Sequence, residues 1–245
     1  MKKALIMPVR AAVLFAAACG GDDDSTTGPT PVGPTANVRF FNATTGMTGS
    51  AGFTTNGQFA SGSALAFGQA TQTCAKVTAG STSFEFGAAN SGGTGLSGNA
   101  LATMSGQSIT ANGNYTVVAT GAATSPKLFL LDNSSSVTPG ANQAAVRFVN
   151  LAPGTGTTAN TFVVFTGAFG TAGQTPIEFN MAVGAPTAFR TMPSGANTLS
   201  VLQNPGHNMV LPSTTVTLQA GTVNTFGIVP TTTSGGYQLI NIPRC

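Results

Sequence analysis

Val38-Arg39-Phe40-Phe41-Asn42 recurs 108 positions later as Val146-Arg147-Phe148-Val149-Asn150, and this recurrence decides the fold. Each copy runs into a turn-rich stretch, containing Gly46 in the first and Gly154 in the second. Further on, Ala79-Gly80-Ser81-Thr82-Ser83-Phe84-Glu85-Phe86 matches Ser194-Gly195-Ala196-Asn197-Thr198-Leu199-Ser200-Val201 at an offset of 115, each reading as a turn feeding an alternating strand. The offset then returns to 108, aligning Gly113-Asn114-Tyr115-Thr116-Val117-Val118 with Gly221-Thr222-Val223-Asn224-Thr225-Phe226. The copies close on the apolar strands Leu128-Phe129-Leu130-Leu131 and Leu239-Ile240-Asn241-Ile242. Matching strands with drifting offsets are the mark of duplicated domains with variable loops. A solenoid would repeat every ~20 to 50 residues, whereas these copies have the length of domains.

Within each copy, β-branched and aromatic residues recur at alternate positions, and turn signals arrive at strand-length intervals. That pattern predicts an all-β chain of two tandem Ig-like β-sandwiches. The expected domains are 36–133 and 144–245, joined by a linker over 134–143. The Gly-, Ser- and Asn-rich stretch from Ala88 to Gly106 reads as a long loop of the first copy.

The chain begins with Lys2, Lys3 and Arg10, then the apolar run Ala11-Ala12-Val13-Leu14-Phe15-Ala16-Ala17-Ala18. A basic start, a short apolar stretch and small residues before a cut form a secretory signal peptide. Pro8 and Arg10 leave far fewer than the ~20 apolar residues that a bilayer span requires. Ala16-Ala17-Ala18-Cys19 resembles a lipobox, although Ala16 stands where Leu is usual. The expectation is a signal peptide over 1–18 and a diacylglyceryl-modified Cys19. A flexible tether over 19–35 follows, running from Gly20-Gly21-Asp22-Asp23-Asp24 through a Pro/Gly/Thr stretch that ends at Thr35. Acyl chains hold a protein to a bilayer by ~0.8 kcal/mol per buried CH₂, so membrane lipid is the first expected partner. Gly20 after Cys19, where an inner-membrane retention signal would have Asp, favours the outer membrane.

Charge excludes further classes. Of nine Lys and Arg residues, three lie before Cys19, which leaves six against six Asp and Glu. Such a neutral chain has no basic cluster to neutralise phosphates, so nucleic acid is not an expected partner. His207 is the single histidine, in a turn-like Asn204-Pro205-Gly206-His207-Asn208, and after the tether the acids are Glu85, Asp132 and Glu178. No metal or cofactor site follows from so few ligands. No Gly-x-Ser-x-Gly elbow accompanies the histidine, so an enzyme is not expected and a hydrolase is the remote alternative.

Arg39 and Arg147 hold the same place in the two copies, on the face opposite Val38/Phe40 and Val146/Phe148. Two readings stand: a shared structural arginine that shields a strand edge or pairs locally, or a site for an acidic partner. With Cys19 committed to lipid, Cys74 and Cys245 are left, in a compartment that permits disulfides. They form either a bonded pair or a buried free thiol and a stray terminal one.

The Val-Arg-Phe-Val-Asn-x-Ala-Pro opening within Ala145 to Pro153 carries a family resemblance, together with the Phe67-Gly68 and Val183-Gly184 pairs and the Ala-Gly-Ser and Ser-Gly-Ala turns. These features resemble domain of unknown function 4397 over most of Ala36 to Ile242. The resemblance implies Ig-like repeats, often in tandem, of bacterial secreted and lipid-anchored proteins without an assigned activity. Members usually carry an Asp-containing strand after the opening motif, where this chain has Phe162-Val163-Val164-Phe165, so no site residue is carried over. The resulting expectation is a monomeric, non-enzymatic envelope lipoprotein serving as a structural or protein-interaction module. The alternative is a small-ligand or glycan-binding protein that uses an inter-domain cleft or the 88–106 loop.

Overall fold

The computed structural model describes residues 33–60, 62–134, 137–152, 161–204, 208–232 and 236–245. Cys19, most of the tether, part of the linker, Gly154 and His207 lie outside these residues. The described residues form seventeen strands and no helix.

The first nine strands are β1 (Thr35–Thr45), β2 (Ala51–Thr55), β3 (Gln58–Phe59), β4 (Gln69–Ala70), β5 (Ala75–Thr78), β6 (Gly80–Ala88), β7 (Ala102–Ile109), β8 (Asn114–Ala122) and β9 (Lys127–Asp132). They build one sheet ordered β4-β1-β8-β9, with β5 also on β1, and a second ordered β3-β2-β6-β7. The remainder are β10 (Gln143–Asn150), β11 (Thr161–Thr166), β12 (Thr175–Glu178), β13 (Arg190–Pro193), β14 (Gly195–Asn204), β15 (Asn208–Leu218), β16 (Val223–Pro230) and β17 (Tyr237–Asn241). Their sheets run β13-β10-β16-β17 and β12-β11-β14-β15. Each half is thus a two-sheet, Ig-like sandwich. In each, the opening strand lies parallel to its neighbour, β1 to β8 and β10 to β16.

Alternation explains each core. Ala36, Val38 and Phe40 project from one face of β1 to meet Phe53, Phe84, Phe86 and Val117. The Phe40 ring lies 5.1 Å from that of Phe53 and 6.2 Å from that of Phe84. In the second sandwich Val146 and Phe148 meet Phe162, Val164, Leu199 and Phe226 in the same way. Burying such side chains contributes ~1.5–3 kcal/mol each.

The asparagine that ends the repeated motif is fully buried in both copies. Asn42 Nδ2 donates to the Leu65 carbonyl at 3.0 Å, and its Oδ1 accepts from the Thr44 amide at 2.9 Å. Asn150 repeats this: Nδ2 donates to the Met181 carbonyl at 3.0 Å, and Oδ1 accepts from the Ala152 amide at 3.0 Å. The side chain stitches the exit of the opening strand to the loop beside it, which fixes where the chain turns towards the second sheet. The turns before β6 and β14 also match, since Gly80 and Gly195 both have φ near +100° (121° and 99°), where a Cβ is disfavoured.

The structure corrects three expectations. The stretch read as a loop from Ala88 to Gly106 is shorter, because Ala102–Ile109 forms β7 on β6. This strand is at a sheet edge with much of its length exposed, so its polar residues gave a loop-like reading, while Met104 and Ile109 face the core. The loop that remains folds back through Leu96, which packs over Gly52 and Gly87. The second correction is confined to edge shielding by Arg39 and Arg147: neither stands on a strand edge, which leaves the local-pairing arm of that reading. β1 lies between β8 and β4/β5, and β10 lies between β16 and β13. The third is one residue of register: Phe40 pairs with Val117 and Phe148 with Phe226, so the β8/β16 offset is 109.

Asn42→Ala and Asn150→Ala each leave a buried backbone amide, that of Thr44 or of Ala152, without its partner, so each is expected to lower stability by about 1–3 kcal/mol. Urea denaturation followed by circular dichroism measures this; an unchanged midpoint for both would refute the stitching role.

Candidate functional site

The sheets that carry β1/β8 and β10/β16 have a second face, and the two faces meet. Phe41, Ala43, Val118 and Leu131 of the first sandwich and Val149, Leu151, Val229 and Ile242 of the second form one buried cluster, with Ala70, Phe129 and Ile240 packed against it. The molecule is therefore a stack of four sheets with a third apolar core at its middle. These side chains fill the space that an inter-domain ligand cleft would need.

Fit within the seam is tight. A Cβ on Gly227 would lie 2.8 Å from Ile242 Cδ1 and 2.9 Å from Leu151 Cδ1. At Gly184, whose φ is +80°, the Phe129 ring of the first sandwich would lie 2.4 Å from an added Cβ. The matching Gly68, with φ +76°, has open space around it. The second Phe/Val-Gly pair of the sequence thus receives a ring across the seam, and the first does not.

One end of the seam is polar. Arg147 is 5% exposed; its Nε donates to Thr225 Oγ1 at 3.0 Å and its Nη2 to Asn133 Oδ1 at 2.9 Å. Asn133, at the exit of β9, passes the network on by donating Nδ2 to Thr116 Oγ1 at 2.8 Å. Thr116 Oγ1 donates in turn to the Pro243 carbonyl at 2.9 Å. Arg244 donates to the Asn133 carbonyl through Nη2. Both guanidiniums lie over the Phe189 ring, Arg147 at 4.7 Å and Arg244 at 5.7 Å from its centre, as cation–π contact favours. At the other end of the seam, Thr120 Oγ1 donates to the Leu151 carbonyl at 2.7 Å.

Burial, and next the neighbouring Arg244, pull the Arg147 pKa down to about 10, while Asp132 pushes it up. Burial also lowers that of Arg244. A cation with a lower pKa folded than unfolded costs stability wherever both states hold the proton, and the cost fades only as pH rises past the folded value. Arg147 therefore stays charged at neutral pH and adds no pH dependence there.

The structure joins Cys74 and Cys245 in a disulfide, Cα to Cα 5.8 Å, across a sequence separation of 171 residues. The bond links the loop before β5 to the tail after β17, beside the arginine network. Arg39, the partner of Arg147 in the repeat, takes no part in that network. Its Nη2 donates to the Gln72 carbonyl at 3.3 Å in an exposed position. Glu85 accepts from Thr54 Oγ1 at 2.8 Å, and Glu178 pairs with Arg190. Among the described residues no three His, Cys, Asp or Glu side chains are grouped to hold a metal ion, and no helix is long and apolar enough to cross a membrane.

Sequence reasoning missed the seam residues Phe41, Val118, Leu131, Val149, Leu151, Asn133, Phe189 and Arg244. The signal was present in part. Residues 115–121 and 144–150 are buried without a break, and runs such as Val117-Val118-Ala119 and Phe148-Val149 lose the alternation of a half-exposed strand. A strand covered on both faces reads this way. The polar residues give no comparable signal, because Asn133, Arg147 and Arg244 converge only in space.

The family model of the Domain of unknown function (DUF4397) matches residues 36–158, half of the chain, and the chain belongs to that family. No curated protein matches it. Among solved structures, the chain is similar to the Bacillus anthracis TIE protein, at 9% identity and a TM-score of 0.24, covering 80% of this chain and 34% of that one. It is also similar to a candidate cell adhesion protein from Bacteroides ovatus, at 10% identity and a TM-score of 0.25, covering 87% and 98%. The chain spans about a third of the Bacillus protein. Likeness this distant carries no argument about activity.

Two comparisons between the copies test the seam. Arg147→Ala strands Asn133 and Thr225 and uncovers Phe189, so it should cost about 2–4 kcal/mol, while Arg39→Ala stays within ~0.5 kcal/mol. The Arg147 difference should hold constant from about pH 5 to about pH 9 in urea titrations. Gly68→Ala bears only the left-handed backbone cost of about 1–2 kcal/mol. Gly184→Ala adds the Phe129 collision and should melt measurably lower; equal melting temperatures would count against the packed seam.

Proposed function

We propose that this chain is a bacterial cell-envelope lipoprotein, anchored through Cys19, whose two sandwiches act as one non-enzymatic structural or protein-interaction module. The observation that carries the module reading is where the polar groups go. Arg147, Arg244, Asn133, Thr116 and Thr225 converge on one another across the seam. A cluster of that size would be the natural place for chemistry, and here it holds two sandwiches in register. Membership of a family named only as a domain of unknown function is compatible with this reading.

Support for the anchor comes from the sequence. The basic start, the short apolar run, Ala16-Ala17-Ala18-Cys19 and the acidic then proline-rich tether form a coherent export and lipidation signal. The outer membrane is the proposed location, with the body held off its surface by the tether. A protein of the envelope is the proposed partner.

Metabolic labelling with palmitate should mark the protein in its host, and Cys19→Ser should abolish the label and release the body from the membrane fraction. Affinity capture from envelope extracts should recover a protein partner, while glycan arrays stay blank. Persistent labelling of the Cys19→Ser chain would refute the anchor. Strong glycan binding would replace the protein-interaction reading with the glycan-binding one.

A further inference from the structure

The ladders put the two halves in one frame. Phe40 stands opposite Val117 and Phe148 opposite Phe226, so Phe41 corresponds to Val149, Ala43 to Leu151, Val118 to Gly227 and Thr120 to Val229. The closing ladders set Val118 opposite Phe129 and Gly227 opposite Ile240, which makes Leu131 correspond to Ile242. In this frame the central cluster takes the same patch from each half, with Phe41, Ala43 and Leu131 facing Val149, Leu151 and Ile242.

Three polar contacts join matching levels, whereas the Arg147–Asn133 bond and the Phe129–Gly184 packing have no counterpart at Arg39 or Gly68. Arg244 donates to the carbonyl of Asn133, the residue it corresponds to. Thr116 reaches Pro243, whose counterpart Asp132 stands opposite Tyr115, one residue from Thr116. Thr120 reaches Leu151, whose counterpart Ala43 stands opposite Thr120 itself. Equal levels meet equal levels along the seam. A patch that faces its own equivalent is the isologous interface of a two-fold homodimer, and the apolar centre of this seam approximates one inside a single molecule.

From this we infer that the seam face is a homotypic docking surface that a second copy of the chain can occupy. By reciprocal exchange, the first sandwich of each chain seats on the second sandwich of the other. The described seam is tied in cis at two places, the 133–143 connection and the Cys74–Cys245 bond. All other seam contacts are non-covalent and re-form unchanged between chains. Closed and exchanged forms then differ by the effective concentration of the linked halves, on the order of millimolar for two halves joined by a short linker. Cys74–Cys245 locks whichever pairing exists when it forms. The proposal rests on the seam and stands without the Cys19 anchor.

The test uses two full chains, both carrying Cys19→Ser, one with Cys74→Ser and the other with Cys245→Ser, each with a different tag. Neither can close the internal bond. They are unfolded, mixed at about 0.3 mM and refolded with oxidised glutathione. The remaining thiols give up two protons and two electrons, yielding one disulfide and two molecules of reduced glutathione. Expected is a Cys74–Cys245 linked heterodimer holding roughly a tenth or more of the protein. Val118→Asp in both chains alters the seam face alone and should cut that yield at least tenfold while the sandwiches still melt cooperatively. Val229→Asp makes the same test from the other half if Val118→Asp does not fold. No heterodimer from cooperatively folding chains overturns the proposal, and so does a yield indifferent to both face substitutions.

Discussion

Two sheets of this molecule are buried on both faces, and the rest of the structure depends on that constraint. A sheet in a solitary sandwich alternates between core and solvent. The sheets around β1/β8 and β10/β16 instead have a core on one side and another sandwich on the other. Covering large apolar residues such as Phe41, Leu131, Leu151 and Ile242 is worth more than any exposed ion pair of the surface, where ~0–1 kcal/mol is usual. Apolar burial therefore supplies the attraction between the sandwiches. It is non-directional, and by itself it leaves their relative register loose.

Register comes from the polar end. Arg147 and Arg244 are held by the Thr225 hydroxyl, the Asn133 side-chain amide and the carbonyls of Asn133 and Val223, all at fixed positions on β16 and the segment that leaves β9. Burying a cation with neutral partners costs stability, which is why the Arg147 pKa falls. The return is geometric, because these donors find their acceptors at only one setting of the two sheets. The Cys74–Cys245 bond lies at the same end and adds a covalent limit, worth upwards of ~4.7 kcal/mol in a loop-entropy account for so long a loop. Arg39 shows what the same residue does without a facing sandwich placed to receive it: one exposed contact to a carbonyl.

The duplication gave two copies one architecture and different local duties. The stitching asparagines, Asn42 and Asn150, are interchangeable because their partners lie within a single sandwich. The arginines and the Phe/Val-Gly glycines have diverged because their surroundings include the other copy. Built this way, the two halves share one core across the seam rather than standing as two beads on a string.

Sequence by itself determined the class of the fold, its duplication and its family. These depend on local alternation, turn residues and motif recurrence, all carried by neighbours in the chain. It also marked Cys74 and Cys245 as the available pair and Arg39 and Arg147 as equivalents, and it read β7 as loop because an exposed edge strand is polar. Tertiary structure alone decided that the second faces meet, that Arg147 is buried while Arg39 is not, and that Asn133, Phe189 and Arg244 share one cluster. Those outcomes turn on contacts between residues far apart in the chain, 111 positions for Arg244 and Asn133. No local pattern encodes such contacts, because they arise only when one folded surface finds another.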